Sequence, residues 1–245
     1  MSFYYSMPGF QEPVSAISHL AGALFFLVLS CIMLMRGRGS YGRLAFLFVY
    51  CFSVVTLLSL SGVYHMMQFG GTARKVMERL DHGAIFLLIA GTFTPAHGIL
   101  FQGLWRWVPL LLIWSGAITG ITLKSIFLEA LPEWLGLAFY LGLGWVGAIS
   151  ATVMWWRFGF RFILPLLFGG IFYTIGATLD FLRWPIVIDG VIGGHEILHF
   201  AVLLGAWFHW WFIMQFASGR LPPVVVRGHG APVRTSSEVE TEAGF

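Results

Sequence analysis

Charged residues are scarce in this sequence. Asp, Glu, Lys and Arg together make up 10% of its 245 residues, whereas hydrophobic residues make up 58%. A soluble domain of this length carries about 25% charged residues, so the polar side chains here are too few to cover a water-soluble globule. This deficit excludes a soluble protein and predicts that lipid surrounds most of the outer surface.

Three further absences narrow the function. Only two cysteines occur, Cys31 and Cys51, and both lie inside apolar segments, which excludes a disulfide framework and a cysteine-based metal site. Asparagine is missing altogether, so the chain carries no N-glycosylation sequon. The formal net charge is +3, but no basic run with interleaved aromatic residues stands outside the apolar segments. We therefore expect no nucleic-acid partner.

The apolar residues are gathered into seven runs, each long enough to cross a bilayer, which needs about 20 residues. Because an unpaired peptide group in lipid is costly, every span must be helical. The predicted fold is therefore all-α, a seven-transmembrane helix bundle. The runs cover residues 14–35, 44–66, 81–101, 106–124, 134–156, 160–180 and 195–217.

The sequence divides into three parts around this bundle. Residues 1–13 form a short N-terminal segment, and residues 14–217 form the seven-transmembrane domain. Residues 218–245 are rich in Pro, Gly, Ser, Thr and Glu and end in an acidic stretch. Such a segment buries too little apolar area to fold, so it is predicted to be a disordered polar tail.

Ionisable residues in the spans are concentrated at one membrane face. With seven spans, the N-terminus, the ends of spans 2, 4 and 6 and the starts of spans 1, 3, 5 and 7 share a face, which we call the site face. Ionisable groups in a membrane are costly, so each is a functional candidate. The candidates at the site face are Glu12 and His19 at the start of the first span, His65 in the second, Asp81 and His82 in the third, and His195, Glu196 and His199 in the seventh.

The spacing of three of these histidines predicts a zinc site. His195 and His199 are four residues apart and so project from one face of a helix, as do Ser61 and His65. Neutral imidazole is a preferred ligand of zinc, and three protein ligands with a fourth position left to water are the catalytic pattern. The alternative is that the three histidines are hydrogen-bonded residues of the interface that hold no metal.

The segment HEILH, from His195 to His199, also matches the H-E-x-x-H pattern of zinc proteases, in which the Glu serves as general base. Such enzymes need a further ligand downstream. The histidine found downstream in this span, His209, comes ten residues after His199, or about 15 Å along the helix axis. An intramembrane protease is therefore the less favoured interpretation.

Taken in order, these residues resemble the motifs of the progestin and adiponectin receptor family, and most closely its bacterial haemolysin III-like branch. The similar segments are EPVSAISH at the start of the first span, SGVYH at the end of the second, LDHGAIFLLIAGTFTP in the third and HEILHFAVLLGAWFH in the seventh. The resemblance covers roughly residues 10–217. One departure is that Ser15 and Ser18 stand where members of the family often have Asn and Thr.

The resemblance implies a zinc ion held by His65, His195 and His199, and an aspartate, Asp81, that holds the zinc-bound water with Ser61 nearby. It further implies kinship with membrane metal-dependent hydrolases that include alkaline ceramidases. It also implies a bacterial inner, or plasma, membrane with the N-terminus and the site facing inward. The count of Lys and Arg favours the opposite orientation, because cytoplasmic loops carry an excess of these residues. Five lie at the site face and seven at the opposite face.

The roles of single residues stay open at this stage. Asp81 is expected to act as a base beside the metal, or else to anchor a loop arginine, Arg74 or Arg79. Ser61 is expected to donate to an oxyanion or to orient His65, or else to bond its own helix backbone. Three further residues are candidates to line the site: Glu196, Glu12 and His19.

Three functions compete. The first is a zinc-dependent hydrolase that cleaves an amide or ester of a membrane lipid, which it reaches laterally from the bilayer. The second is a haemolysin-like pore or transporter, but no span carries a polar stripe through its full depth. The third is a membrane sensor in which zinc is structural. Membrane lipid is the expected partner in each case, and the sequence does not identify a protein partner.

Overall fold

The structure is a computed structural model that describes residues 6–220. Within this range the regular secondary structure is helical. Two isolated β-bridges also occur, Met7 with Phe10 and Ile188 with Ile192. The helices are α1 Pro13–Arg36, α2 Tyr41–Met66, α3 Thr72–Leu100, α4 Leu104–Phe127, α5 Glu133–Trp145, α6 Gly147–Phe158, α7 Phe160–Phe181 and α8 Gly194–Met214.

Seven spans are long and apolar enough to cross a membrane, with α5 and α6 together making the fifth. The prediction of an all-α protein with seven apolar spans is confirmed. The predicted disordered tail falls almost wholly on residues 221–245, which lie outside the described residues.

The third helix begins earlier than its apolar run indicates. The sequence prediction starts this span at residue 81, but α3 starts at Thr72. Gly70 and Gly71 precede it with φ values of 83° and 81°, which glycine adopts freely, so the chain turns sharply just before the helix. The charged residues that follow are good helix formers and do not delay it. Asp81 therefore lies nine residues, or about 14 Å, inside α3 rather than in its first turn.

The fifth span is interrupted near its middle. α5 ends at Trp145 and α6 begins at Gly147. Glycine disfavours a helix by about 1 kcal/mol relative to alanine, and Gly142, Gly144 and Gly147 surround the interruption. The break therefore falls where the sequence of this span has its lowest helix propensity.

α3 is the central helix of the bundle. In its most apolar window 72% of the residues are buried, against 22–44% in the other six spans. Glycines of α3 allow α2 to approach closely, because a β-carbon at Gly91 would collide with Ser53 and one at Gly98 would collide with the ring of Phe46. These two contacts set an antiparallel register between α2 and α3, which fixes the depth of the residues at the site face.

Candidate metal centre

Three imidazole rings converge at the site face, as the sequence predicts. The Nε2 atom of His195 lies 3.3 Å from Nε2 of His65 and 3.1 Å from Nε2 of His199. The three candidate ligand atoms all lie within 4.8 Å of one another. His65 comes from the last turn of α2, and the other two come from the first two turns of α8. His65 and His199 are buried, whereas the His195 side chain is 40% exposed and opens the cluster to the outside.

Two of these rings are oriented by carboxylates. Nδ1 of His65 lies 2.8 Å from Oε2 of Glu12, and Nδ1 of His195 lies 3.0 Å from Oδ1 of Asp180. An ionised carboxylate only accepts hydrogen bonds, so each Nδ1 carries the proton and donates it. In a neutral imidazole the proton on Nδ1 leaves a lone pair on Nε2. The carboxylates therefore select the tautomer that a metal requires.

The same tautomers make the cluster unfavourable without a cation. When both rings are neutral and protonated on Nδ1, the Nε2 atoms of His65 and His195 lie 3.3 Å apart with no proton to share between them. The Nε2 atom of His199 approaches from the third side. A metal ion at the point of convergence would accept all three lone pairs and remove their repulsion. The donor set thus fits a metal ion, with carboxylates behind two of the three ligands as metal-binding histidines commonly have.

Glu12 is held in place from two sides. Its Oε2 atom accepts from Nη2 of Arg74 at 2.7 Å as well as from His65, and its backbone N–H donates to the carbonyl of His65 at 3.0 Å. Burial raises the pKa of the Glu12 carboxyl, but the hydrogen bonds and charges of His65 and Arg74 outweigh burial and lower the pKa to about 2. Glu12 is therefore ionised at neutral pH, as its role as acceptor from His65 requires.

Arg74 itself is buried at the start of α3. Its guanidinium donates to the backbone carbonyls of Tyr64 and Met67 at the end of α2 and lies 4.5 Å from the centroids of the Tyr64 and Phe69 rings. The sequence alternative in which Asp81 anchors Arg74 is therefore not the arrangement found, because Arg74 pairs with Glu12.

His199 is oriented by a ring rather than by a carboxylate. The imidazole of His19 lies against that of His199, with 3.8 Å between their centroids, and Nε2 of His19 donates to the His199 carbonyl at 3.4 Å. His19 is almost fully buried in α1. It therefore belongs to the surroundings of the cluster, as the sequence indicates, and limits the positions that the His199 ring can take.

Glu196 accepts hydrogen bonds from Gly193 and Ser15 rather than from the three imidazoles. Its Oε2 atom accepts from the backbone N–H of Gly193 at 2.9 Å, which caps the start of α8. Its Oε1 atom accepts from Oγ of Ser15 at 3.1 Å, which ties α8 to α1. Both oxygens are thus used away from the imidazoles, which argues against Glu196 as the general base of a protease. The contact also explains the serine in the first-span motif.

Asp180 is a residue of the site that the sequence analysis does not identify. It lies in the last turn of α7, on the site face, and reaches His195 fifteen residues later in the chain. A signal was present, because a carboxylate at the end of the sixth span shares the depth of the start of the seventh. No fixed helical spacing connects the two, since the loop between them sets the contact.

Asp81 lies at the depth of the cluster. Gly91 of α3 faces Ser53 of α2, and the two helices are antiparallel. Asp81, ten residues before Gly91, therefore lies level with Val63, ten residues after Ser53. Val63 lies between Ser61 and His65. Asp81 also shares a helix face with Ala84 and Leu88, both in the main apolar core. Within residues 6–220 no hydrogen bond joins Asp81 to the three histidines, so its part beside a metal stays a prediction.

Ser61 is buried one turn before His65 on the same face of α2. Its hydroxyl has no hydrogen-bond partner among the described residues, whereas the hydroxyl of Ser53 in the same helix donates to the Tyr50 carbonyl at 2.8 Å. The alternative that Ser61 bonds its own helix backbone is therefore not found. The hydroxyl is available to a group that enters beside His65.

The other span histidines are placed for packing. Nδ1 of His97 donates to the Trp105 carbonyl at 2.9 Å, and its Nε2 lies 2.9 Å from Oγ of Ser150, so both ring nitrogens are engaged at the face opposite the cluster. His82 uses Nδ1 to donate to the Glu78 carbonyl in its own helix at 2.8 Å. Neither ring belongs to the metal centre.

Gly194 controls where His195 stands. A β-carbon at Gly194 would lie 2.5 Å from the carbonyl oxygen of Leu179, which is backbone and cannot yield cheaply. We expect Gly194→Ala to displace the start of α8, to lower the free energy of unfolding by about 1–3 kcal/mol, and to weaken metal binding. Thermal unfolding and the metal content of the purified chain measure both effects.

The neighbouring glycine supplies the matched control. A β-carbon at Gly193 would meet only Oε2 of Glu196, at 3.6 Å, and its φ of −122° suits any residue. Gly193→Ala should leave both measurements close to those of the original chain. Equal behaviour of the two variants would show that the close approach at Gly194 does not position the site.

The sequence matches known proteins over the whole helical region. A family model described as "Haemolysin-III related" matches residues 9–210. The chain is 32% identical to "Hemolysin-3" of Bacillus cereus over 198 residues, which cover 80% of this chain and 87% of the relative. It is 28% identical to "Hemolysin-3 homolog" of Bacillus subtilis (strain 168) over 202 residues, which cover 79% and 93%. The matched region contains all three histidines of the cluster.

Proposed function

We propose that this chain, which belongs to the haemolysin III-related family of membrane proteins, binds one zinc ion through His65, His195 and His199 and hydrolyses an amide or ester bond of a membrane lipid. The observation that carries the proposal is the pair of Nε2 lone pairs that Glu12 and Asp180 turn toward each other at 3.3 Å.

The donors and their spacing support zinc as the metal. Nitrogens about 2.0–2.1 Å from a tetrahedral zinc ion lie about 3.3–3.4 Å apart. In the cluster two of the three separations are 3.3 and 3.1 Å, and the third is within 4.8 Å. Neutral imidazoles without thiolates suit zinc among the common biological metals. Calcium and magnesium prefer oxygen donors, which only flank this cluster.

The number of ligands supports catalysis over a structural role. Among the described residues, the group of metal-capable side chains consists of the three histidines alone. Structural zinc sites are closed by four protein ligands, whereas catalytic sites keep one position for water or substrate. Bound there, zinc would activate water at neutral pH and polarise a substrate carbonyl.

The surrounding side chains supply the remaining chemistry. Asp81, at the depth of Ser61 and His65, accepts a proton from the attacking water and returns it to the leaving group. Ser61 donates its free hydroxyl to the oxygen that becomes negative during attack. Glu12 and Asp180 accept hydrogen bonds from Nδ1 of His65 and His195 and so keep the proton of each ring on Nδ1. Neither ring then adopts the tautomer with the proton on Nε2, which would block the metal.

A lipid is the substrate that this setting favours. The cluster lies at the end of apolar spans, and its exposed member, His195, faces outward from the bundle. A lipid can therefore present its head-group linkage at this depth while its chains remain in the bilayer. The family resemblance to membrane hydrolases that include ceramidases points to an amide or ester linkage.

The names of the relatives raise a second candidate, a haemolytic pore. Against it, large buried side chains fill the bundle along its length, among them Phe26, Met33, Leu47, Tyr50 and Phe212. The polar candidates are confined to one face instead of lining a path. A pore predicts unitary currents in a planar bilayer, whereas the hydrolase predicts none.

The proposal is tested by fatty acid release. The purified full chain, loaded with zinc in lipid nanodiscs, should release free fatty acid from ceramide or from another N-acyl or O-acyl lipid. Treatment with a chelator should stop the release, and added zinc should restore it. Release that is unchanged after the metal is removed, or no release from any of these lipids, would contradict the hydrolase.

A further inference from the structure

A lysine ends the buried face of α4. The buried residues of this helix follow one another at alternating intervals of three and four, which is the spacing of a packing stripe. They are Leu110, Ile113, Ala117, Gly120 and Lys124. The last position, where the pattern asks for an apolar residue, carries an ammonium group on a side chain that is only 8% exposed.

The ammonium of Lys124 has no protein partner in the described part of the chain. Neither a hydrogen bond nor an ion pair to it occurs there. The carboxylates of Glu133 and Glu78 act on it only from beyond ion-pair distance, and Glu133 already accepts from Arg183 at 3.1 Å. The ring of Tyr140 lies near it, with 5.8 Å between Nζ and the centroid. The three N–H donors of this mostly buried lysine are thus left without an acceptor among the described residues.

The ammonium group of Lys124 lies against Gly136, between α4 and α5. A β-carbon at Gly136 would lie 2.7 Å from Nζ and 3.1 Å from Cε of Lys124, so a side chain there would displace the ammonium from its present position. Beside Lys124 and Gly136 runs a small cavity with apolar walls, formed by Phe86, Gly120, Leu123, Leu131, Leu135 and Phe139. An unpaired cation therefore borders a cavity that offers it no acceptor.

The depth of Lys124 places this cavity at the membrane interface. Gly83 of α3 faces Ile121 of α4, and in this antiparallel pair Lys124 lies at the level of residues 80–82. That level is the depth of Asp81 and hence of the metal centre. Phosphate and carboxylate groups of lipids occupy the interface. From this level toward the bilayer centre, the outside of α4 exposes the apolar residues Ile118, Leu112 and Leu111.

We propose that Lys124 binds the anionic head group, a phosphate or a carboxylate, of a membrane lipid in the cleft between α4 and α5. The anion accepts hydrogen bonds from the ammonium, and the acyl chain lies along the exposed apolar surface of the two helices. An unpaired charge held away from water is costly, and a charge-assisted hydrogen bond to a lipid anion removes that cost. The site is separate from the three histidines and does not depend on the proposed hydrolysis.

Binding to the delipidated full chain in a neutral detergent tests the site. We expect phosphatidylglycerol and oleate to bind, counted by native mass spectrometry, and phosphatidylcholine to bind at least about tenfold more weakly. Lys124→Met should lower the affinity for phosphatidylglycerol by about tenfold or more, and Lys124→Arg should retain most of it. Gly136→Ala keeps the charge but displaces the ammonium, so it should also weaken binding.

The control is Lys75→Met, which removes the same charge from the same face. Lys75 is 63% exposed and pairs with Glu129, so this variant should bind lipid as the original chain does. Unchanged binding in both Lys124→Met and Gly136→Ala, or an equal loss in Lys75→Met, would overturn the proposal. Inorganic phosphate that binds as tightly as phosphatidylglycerol would overturn the lipid as its source. The metal content should not change in Lys124→Met, which separates this test from that of the histidine cluster.

Discussion

Replacing His195 by alanine should reduce bound zinc from about one ion per chain to background. His195 is the central member of the cluster, since its Nε2 atom lies within 3.3 Å of both other nitrogens. Loss of a hydrogen-bond partner behind a ligand weakens metal binding by about 10–100-fold, and loss of the ligand itself should exceed that range. Elemental analysis of the chain, purified without added chelator, measures the effect.

His82→Ala is the matched control for this substitution. His82 is a half-buried imidazole at the same face, and its Nδ1 atom is engaged with the Glu78 carbonyl. The control variant should keep about one zinc ion per chain. Full zinc content in His195→Ala would show that the cluster is not the metal site, and equal loss in both variants would point to general unfolding.

Substituting Asp81 by asparagine should separate catalysis from metal binding. Asparagine has nearly the shape of aspartate but cannot accept the proton of the attacking water. General base catalysis contributes about 10²–10⁴-fold, so fatty acid release should fall by that factor while the zinc content remains unchanged. The expectation rests on the depth of Asp81, level with the turn between Ser61 and His65, and on its place on the core-facing side of α3.

Asp189→Asn provides the corresponding control. Asp189 is an exposed carboxylate in the loop between α7 and α8, on the same face. Its substitution should leave the rate of release unchanged. Activity retained in Asp81→Asn would remove Asp81 from the mechanism, and a loss of zinc in that variant would assign it to holding the metal instead of the proton.

The spans and the three histidines were accessible from the sequence because both depend on local patterns. Apolar runs of about 20 residues define spans in lipid, and the four-residue spacing of His195 and His199 places them on one helix face without knowledge of the rest. The third ligand needed more. His65 is added to the pair by the parity of the spans and by the family resemblance. In the structure its ring lies beside the other two, and its part as a ligand stays a prediction.

The residues that hold the ligands were harder to predict because they act across the fold. Asp180 reaches His195 only through the loop between α7 and α8, and the bond of Glu12 to His65 depends on Arg74 from a third element. Arg74 was assigned to a loop because a hydrophobicity pattern cannot tell a charged helical turn from a charged connection. The start of α3 was misplaced for the same reason.

Lys124 occupies a position where the helical pattern of α4 predicts a buried apolar residue, which a count of charges does not reveal. Treated as one of the charges between spans, it is unremarkable, yet it continues the spacing of the buried stripe that runs from Leu110 to Gly120. The conflict between pattern and residue type was visible in the sequence. Only the structure shows that no carboxylate within residues 6–220 lies at ion-pair distance from Lys124 and that Gly136 lies against its ammonium.

The most direct test of the metal centre is X-ray absorption at the zinc edge of the purified full chain. Ligation by His65, His195 and His199 predicts about three imidazole nitrogens and one oxygen donor, all at about 2.0–2.2 Å, with no sulfur. The imidazole signature should disappear in His195→Ala. A sulfur shell at about 2.3 Å, or a chain that purifies without stoichiometric zinc and does not take it up, would contradict the account.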